Sequence, residues 1–334
     1  MDITQPERQV LIAAWDVKSR APKRVGRDEL DKVAADIFGD ALADLTPAMM
    51  TLMSRGWLAF DRTTETYALA GEGLELAPKL CLEYGREAFG IWMTSSEKSA
   101  AYAEYCRRVH GMALIQFNMV DAEQLAKLLD ALRLAPEHRV VDLGCGIGTL
   151  TEHVSDRTGA HVTGVDFADA AISRARQRTW TKKGRLSFQV GDLNSLDLPR
   201  ASFDAALVFD TLYFVDDLDR VVGDVLALLR PGGQMGAFFT SIRKKDDGAE
   251  ILEPGSSRLG KALNRHGRSF TTCDFTENER RIWEAGRKAV DELEGAFEAE
   301  GNQLLWKSRD REIRTMLDVY ASGSARRYLY HVGP

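Results

Sequence analysis

The residues best placed to do chemistry form a glycine-rich turn, Asp142-Leu143-Gly144-Cys145-Gly146-Ile147-Gly148, directly after an apolar strand pattern at Arg139 to Leu143. Glycines at such a turn let the backbone bend tightly and let a ligand lie against it with no Cβ in the way. Two carboxylates follow at matching places. Asp166 closes the second strand pattern, 18 residues after Gly148, and Asp192 follows the third in Val190-Gly191-Asp192-Leu193. A carboxylate at the first position can accept both hydroxyls of a ribose, each charge-assisted bond contributing about 1.5–3 kcal/mol. One at the second can take the amino group of an adenine while Leu193 covers its ring face. The spacing separates two ligand types: a dinucleotide fingerprint GxGxxG needs glycine at position 149, which here is Thr149.

These residues require a frame. Residues 139–241 alternate strand and helix patterns, with strands at 139–143, 161–165, 186–190, 204–209 and 235–239. Strands separated by helical segments imply βαβ units and a parallel sheet, whose ligands bind beyond the carboxyl ends of the strands. The fold class is therefore α/β.

At this point the sequence resembles the class I S-adenosylmethionine-dependent methyltransferases. The resemblance rests on Val141 to Gly148, Gly164-Val165-Asp166, Gly191-Asp192-Leu193, Phe203-Asp204 and Leu229-Arg230-Pro231-Gly232-Gly233, and covers about residues 120–241. It implies a Rossmann-like, seven-stranded, mostly parallel sheet whose last strand, near Tyr328 to Val332, runs antiparallel beside the fifth. It also implies S-adenosylmethionine as cofactor and S-adenosylhomocysteine as product. The cofactor-binding set is Asp142, Gly144, Cys145, Gly146, Asp166, Phe167, Asp192, Leu193 and Asp210. Carried over by position, Gly144 and Gly146 line the methionine part, Asp166 the ribose, and Asp192 with Leu193 the adenine. Asp210 falls near the methionine amino group.

Methyl transfer is an in-line displacement on an already activated carbon, so alignment does most of the work and a general base is needed only for some acceptors. The candidate catalytic residues are Tyr213, after the fourth strand, and His110, in a segment able to close over the cofactor; Tyr105 and His266 are weaker candidates. Asp210-Thr211-Leu212-Tyr213 lacks the paired prolines of enzymes that methylate nucleic-acid amino groups. Paired glutamates near the fourth strand and acidic metal ligands after the fifth are missing too. No metal is expected, and a small organic acceptor is the default.

The remaining chain divides by texture. Residues 1–76 read as three helices and a hairpin, resembling a winged-helix domain; 77–133 read as a helical linker or lid. Residues 134–334 read as the catalytic domain, with a polar insertion at about 242–278 where Lys244, Arg258, Arg265 and Arg268 could grip an anionic acceptor. A long helix is expected over roughly 279–300, and strands at Gln303 to Trp306 and Arg327 to Val332. The winged-helix resemblance admits a rival function, a DNA-binding regulator that senses S-adenosylmethionine. Its third helix, Pro47 to Ser54, is apolar, which suits packing or homodimerisation better than contact with phosphates. A net charge of −6 with interleaved signs supplies no basic field for nucleic acid. Four scattered cysteines, no leader pattern and no apolar run of about 20 residues fit a soluble cytoplasmic protein.

Overall fold

A computed structural model describes residues 3–19 and 24–333. The chain divides into two compact units, residues 1–88 and 89–334.

In the first unit α1 (Gln5–Ser19), α2 (Arg27–Phe38) and α3 (Thr46–Ser54) enclose a core built on Leu11, Leu30, Met49, Leu52 and Trp57. Pro47 opens α3, where its missing N–H costs nothing. β1 (Val25–Gly26) pairs with β3 (Thr66–Leu69), which pairs with β2 (Leu58–Asp61), all antiparallel. The two-residue β1 is too short to leave a pattern in the sequence.

α4 (Gly73–Lys98) leads into the second unit. There α5 (Ala100–His110) begins at Ser99, whose Oγ accepts the Tyr102 N–H at 2.9 Å, and α6 (Ala122–Leu132) begins at Asp121, which accepts the Gln124 N–H at 2.7 Å. The alternation expected from the sequence follows as β4 (Arg139–Leu143), α7 (Thr149–Thr158), β5 (His161–Asp166), α8 (Asp169–Arg178), β6 (Leu186–Val190), β7 (Phe203–Phe209), α9 (Leu218–Leu228) and β8 (Leu229–Ile242). Beyond it come α10 (Arg258–Arg265), β9 (Thr271–Asp274), α11 (Thr276–Ala299), α12 (Gln303–Ala321) and β10 (Ala325–Val332).

The sheet has seven strands in the order β6-β5-β4-β7-β8-β10-β9, with β4 to β8 parallel and β10 antiparallel to both its neighbours. The order reverses between β4 and β7, so the loops leaving those strands diverge and open a crevice at their carboxyl ends.

Two expectations need correction. Gln303 to Trp306 is the start of α12, not a strand. Its buried positions Leu305, Arg309, Ile313 and Tyr320 fall on one helical stripe, visible only over a window longer than four residues. The sixth strand is instead β9, inside the segment read as an insertion. It is polar because it sits at the sheet edge, where no apolar face is demanded.

Candidate functional site

At the crevice a cavity of about 1020 Å³ opens between the glycine turn and the helices above the sheet. Of the nine residues assigned to the cofactor, Asp142, Gly144, Cys145, Gly146 and Asp210 line it. Gly144, Gly146 and Gly148 all have positive φ (80°, 55° and 72°). At Gly144 a Cβ would stand 2.1 Å from Thr211 Cγ2, so the turn excludes any side chain there. Asp142 is buried; its Oδ2 accepts the Thr151 hydroxyl at 2.6 Å, while Oδ1 has no partner. Burial pushes this carboxyl up to about 7. A buried acceptor oxygen without a donor, beside glycines that let a ligand approach the backbone, fits the ammonium end of a methionine-containing cofactor.

Asp166, Phe167, Asp192 and Leu193 stand at the strand ends where they were expected but do not line the cavity. Asp166 is nearly fully buried and braces the turn: its Oδ2 accepts the Gly146 N–H at 2.8 Å and its Oδ1 the Ala168 N–H at 3.0 Å. Phe167 packs against Phe89 of α4 with ring centroids 5.7 Å apart. Met93, one turn on, joins Ile147, Ala168 and Ala171 in a small core over the glycine turn. The second half of α4 thus covers the side of the crevice assigned to the nucleoside. Asp192 accepts the Asn194 N–H at 2.8 Å, capping a short 3₁₀ turn into which Leu193 is built.

The two catalytic candidates fare differently. Tyr213 lines the cavity, but its hydroxyl donates to Asp210 Oδ1 at 3.0 Å and accepts the Thr240 N–H at 2.5 Å. Burial raises that phenol well above its ordinary range, so it is a brace and not a base. His110 is corrected outright. It lies buried at the end of α5 and does not line the cavity, and burial depresses its imidazole to about 3. An imidazole so weakly basic, and absent from the cavity wall, is a poor proton acceptor. Tyr105 is packed in the core beside Tyr102, and His266 bonds the Asp219 carbonyl at 2.8 Å.

Asp210 is also not free to receive an ammonium. With φ at 58° it holds a left-handed conformation at the end of β7. There it meets Arg327 in bidentate fashion, at 2.7 Å and 2.8 Å, and accepts the Met119 N–H at 2.9 Å. Arg327 is fully buried, bonds Gln124 at 2.7 Å, and faces Thr240 across the β10–β8 pairing. Glu279, on α11, accepts the hydroxyls of Thr240 and Tyr320, both at 2.6 Å. Sequence reasoning missed Arg327 and Glu279. The signals were there: a lone arginine inside an apolar strand, and a glutamate on the same helical stripe as Ile282, Trp283 and Gly286.

The rest of the cavity has an aromatic wall of Trp92, Phe117, Phe214, Phe239 and Trp283 alongside charged residues that include Asp247 and Glu312. Trp92 stacks on Phe117, with centroids 6.0 Å apart, and the Arg309 guanidinium lies over the same ring at 5.2 Å. Arg309 and Gln116 are buried, line the cavity, and each leaves one polar atom unpartnered. Lys244 and Arg258 of the polar segment reach the cavity mouth, as does Arg311; Arg265 and Arg268 do not, and bond Asp219 and the Gly333 carbonyl instead.

Comparison with known proteins agrees with this geometry. Residues 140–233 match the family described as a methyltransferase domain. Sterol 24-C-methyltransferase ERG6B of Gibberella zeae is 30% identical over 149 residues, 43% of this chain and 38% of that protein. The match thus spans well under half the length of that relative. Among solved structures, phosphoethanolamine N-methyltransferase 2 of Haemonchus contortus aligns with TM-score 0.59 at 17% identity, over 73% of this chain and 60% of that one. The [4+2]-cyclase SpnF aligns with TM-score 0.51 at 18% identity, over 63% of this chain and 80% of that one. The second unit has the class I methyltransferase fold. Residues 140–233 within it are similar to a methyltransferase domain.

Proposed function

We propose that the turn at Gly144 to Gly148 binds S-adenosylmethionine and that the chain transfers its methyl group to a small, largely apolar acceptor by in-line displacement. One observation carries this reading: a single cavity joins the glycine turn and the unpaired Asp142 oxygen to an aromatic chamber large enough for a second molecule. The bound cofactor supplies a methyl group already activated on a sulfonium. What the protein adds is alignment and exclusion of water, and alignment alone can reach effective molarities of about 10⁵–10⁸ M. Trp92, Phe117 and Trp283 supply apolar walls, while Arg309 and Gln116 offer a donor and an acceptor to orient a polar group on the acceptor. A sterol in the name of the Gibberella relative accords with an apolar acceptor.

The first unit supports the winged-helix-like reading by its order of three helices and a β1-β3-β2 sheet. Its α3 carries no Lys or Arg, and Met50 and Phe60 are exposed, which favours packing against a second copy of the chain over DNA.

The test is incubation with methyl-labelled S-adenosylmethionine and a broad metabolite extract. Label appears in a small organic product; label in no product, with the cofactor demonstrably bound, refutes methyl transfer and leaves a binding or cyclase-like use of the fold.

A further inference from the structure

Beside the aromatic chamber the buried charges do not balance. Arg327 is the cation of a cluster that holds two carboxylates, Asp210 and Glu279. Asp210 takes the guanidinium with both oxygens, whereas Glu279 comes no nearer than 3.6 Å to the same Nη1. Glu279 is held instead by neutral donors. Its Oε2 accepts Thr240 from β8 and Tyr320 from α12, and its Oε1 accepts the Trp283 indole N–H at 3.1 Å. Oε1 therefore has one donor for two lone pairs, and Glu279 lines the cavity.

The ionisable groups around it are Arg327 on β10, Asp210 and Tyr213 after β7, and Tyr320 on α12. Burial raises the Glu279 carboxyl, and Asp210 adds to the rise while Arg327 opposes it. With both carboxylates ionised the cluster carries one uncompensated negative charge in a water-poor site, which is costly unless a proton or a nearby cation completes it. Glu279, Asp210, Thr211 and Gly144 line the same cavity. Thr211, next to Asp210, packs against Gly144 of the turn and donates to the Leu143 carbonyl at 2.9 Å.

We propose that Glu279 is the proton acceptor of this site: it gives up a proton when a cation enters the cavity and takes one from the acceptor when that charge is consumed. The inference rests on the cofactor reading above. In the transfer step the acceptor's nucleophilic atom bonds the methyl carbon. The carbon–sulfur bond breaks with its electron pair left on sulfur, which becomes neutral, and the acceptor's proton passes to Glu279. One positive charge disappears at sulfur and one proton arrives at Glu279, so the net charge of the site is unchanged and nothing is oxidised or reduced.

The test uses the full chain and two defined ligands, S-adenosylmethionine and S-adenosylhomocysteine. They share the amino-acid end, so proton changes at Asp142 cancel, and they differ by the charge on sulfur. Calorimetry in buffers of different ionisation enthalpy, from about pH 5 to 7, counts the protons released on binding. The wild type releases more with S-adenosylmethionine, by a sizeable fraction of a proton, and Glu279→Gln abolishes the difference. Equal release in the wild type at every pH, or a difference that survives in Glu279→Gln, overturns the proposal. Should that variant not fold, Tyr320→Phe removes one donor to the carboxylate and moves the difference to higher pH; an unmoved profile overturns it equally. In the labelled-extract assay Glu279→Gln lowers transfer about 100-fold while S-adenosylhomocysteine affinity stays within about twofold. Transfer at the wild-type rate refutes the role. Failure of the wild type to bind either ligand removes the cofactor reading itself, a result distinct from all of these.

Discussion

Replacing Arg327 by Met tests whether the buried cluster holds the sheet and the cavity floor together. Met fills most of the volume but removes bonds to Asp210 at 2.7 Å and 2.8 Å, to Gln124 at 2.7 Å and to Thr240 at 3.1 Å. It leaves Asp210 and Glu279 buried with no cation. Breaking a buried pair from one side costs about 3–5 kcal/mol, mostly because the surviving charge cannot reach water. With a urea slope of about 2 kcal/mol/M, the unfolding midpoint falls by about 2 M. The loss depends on pH in a definite direction. Burial already raises the Glu279 carboxyl, and losing the guanidinium that opposes the rise lifts it further above its unfolded value. Its contribution to stability is then greatest when it is protonated and is lost as pH rises through the folded value. The gap between variant and wild type therefore narrows when pH is lowered from about 7 to about 5. A midpoint shift worth less than about 1 kcal/mol, or one that is the same at both pH values, refutes the cluster's role.

Three further outcomes follow from the glycine turn. Gly144→Ala puts a Cβ 2.1 Å from Thr211 Cγ2 at a φ of 80°; it lowers thermal stability and abolishes cofactor binding, and calorimetry showing wild-type affinity contradicts the placement of the turn. Asp142, pushed by burial to about 7, carries a proton below that pH and attracts a cation above it. Affinity for S-adenosylhomocysteine, which carries the ammonium but no charge on sulfur, thus falls by up to about tenfold per unit as pH drops below 7, and Asp142→Asn binds it weakly and without that pH dependence; a flat wild-type profile rejects the assignment. Asp166→Ala removes the carboxylate that holds the Gly146 and Ala168 N–H groups; it weakens the cofactor at least about tenfold in titration calorimetry, one such charge-assisted bond being worth about 1.5–3 kcal/mol. Unchanged affinity means that the turn keeps its binding conformation without Asp166.

What the sequence determined by itself was the local and periodic part. The alternation over 139–241 dictates a parallel sheet, and three glycines at the end of β4 dictate a tight turn, which the structure bears out with positive φ at all three. The strand-end positions of Asp142, Asp166 and Asp192 were legible from the βαβ alternation, but the backbone N–H groups that Asp166 and Asp192 hold were not. The strand in the polar segment was not legible, since an edge strand such as β9 needs no apolar pattern. The helix at Gln303 was not either, since four residues are too few to separate two periods.

The tertiary structure alone decided the partners. Asp210 looked like a cofactor ligand until Arg327, 117 positions later, claimed both its oxygens. His110 looked accessible until the packing of α5 buried it. Glu279 acquired a possible chemical role only because β8, β10 and α12 converge on it with Thr240, Arg327 and Tyr320. A side chain's propensity is written in its own neighbourhood of the chain. Its charge state and its exposure are set by neighbours that are distant in sequence and close in space.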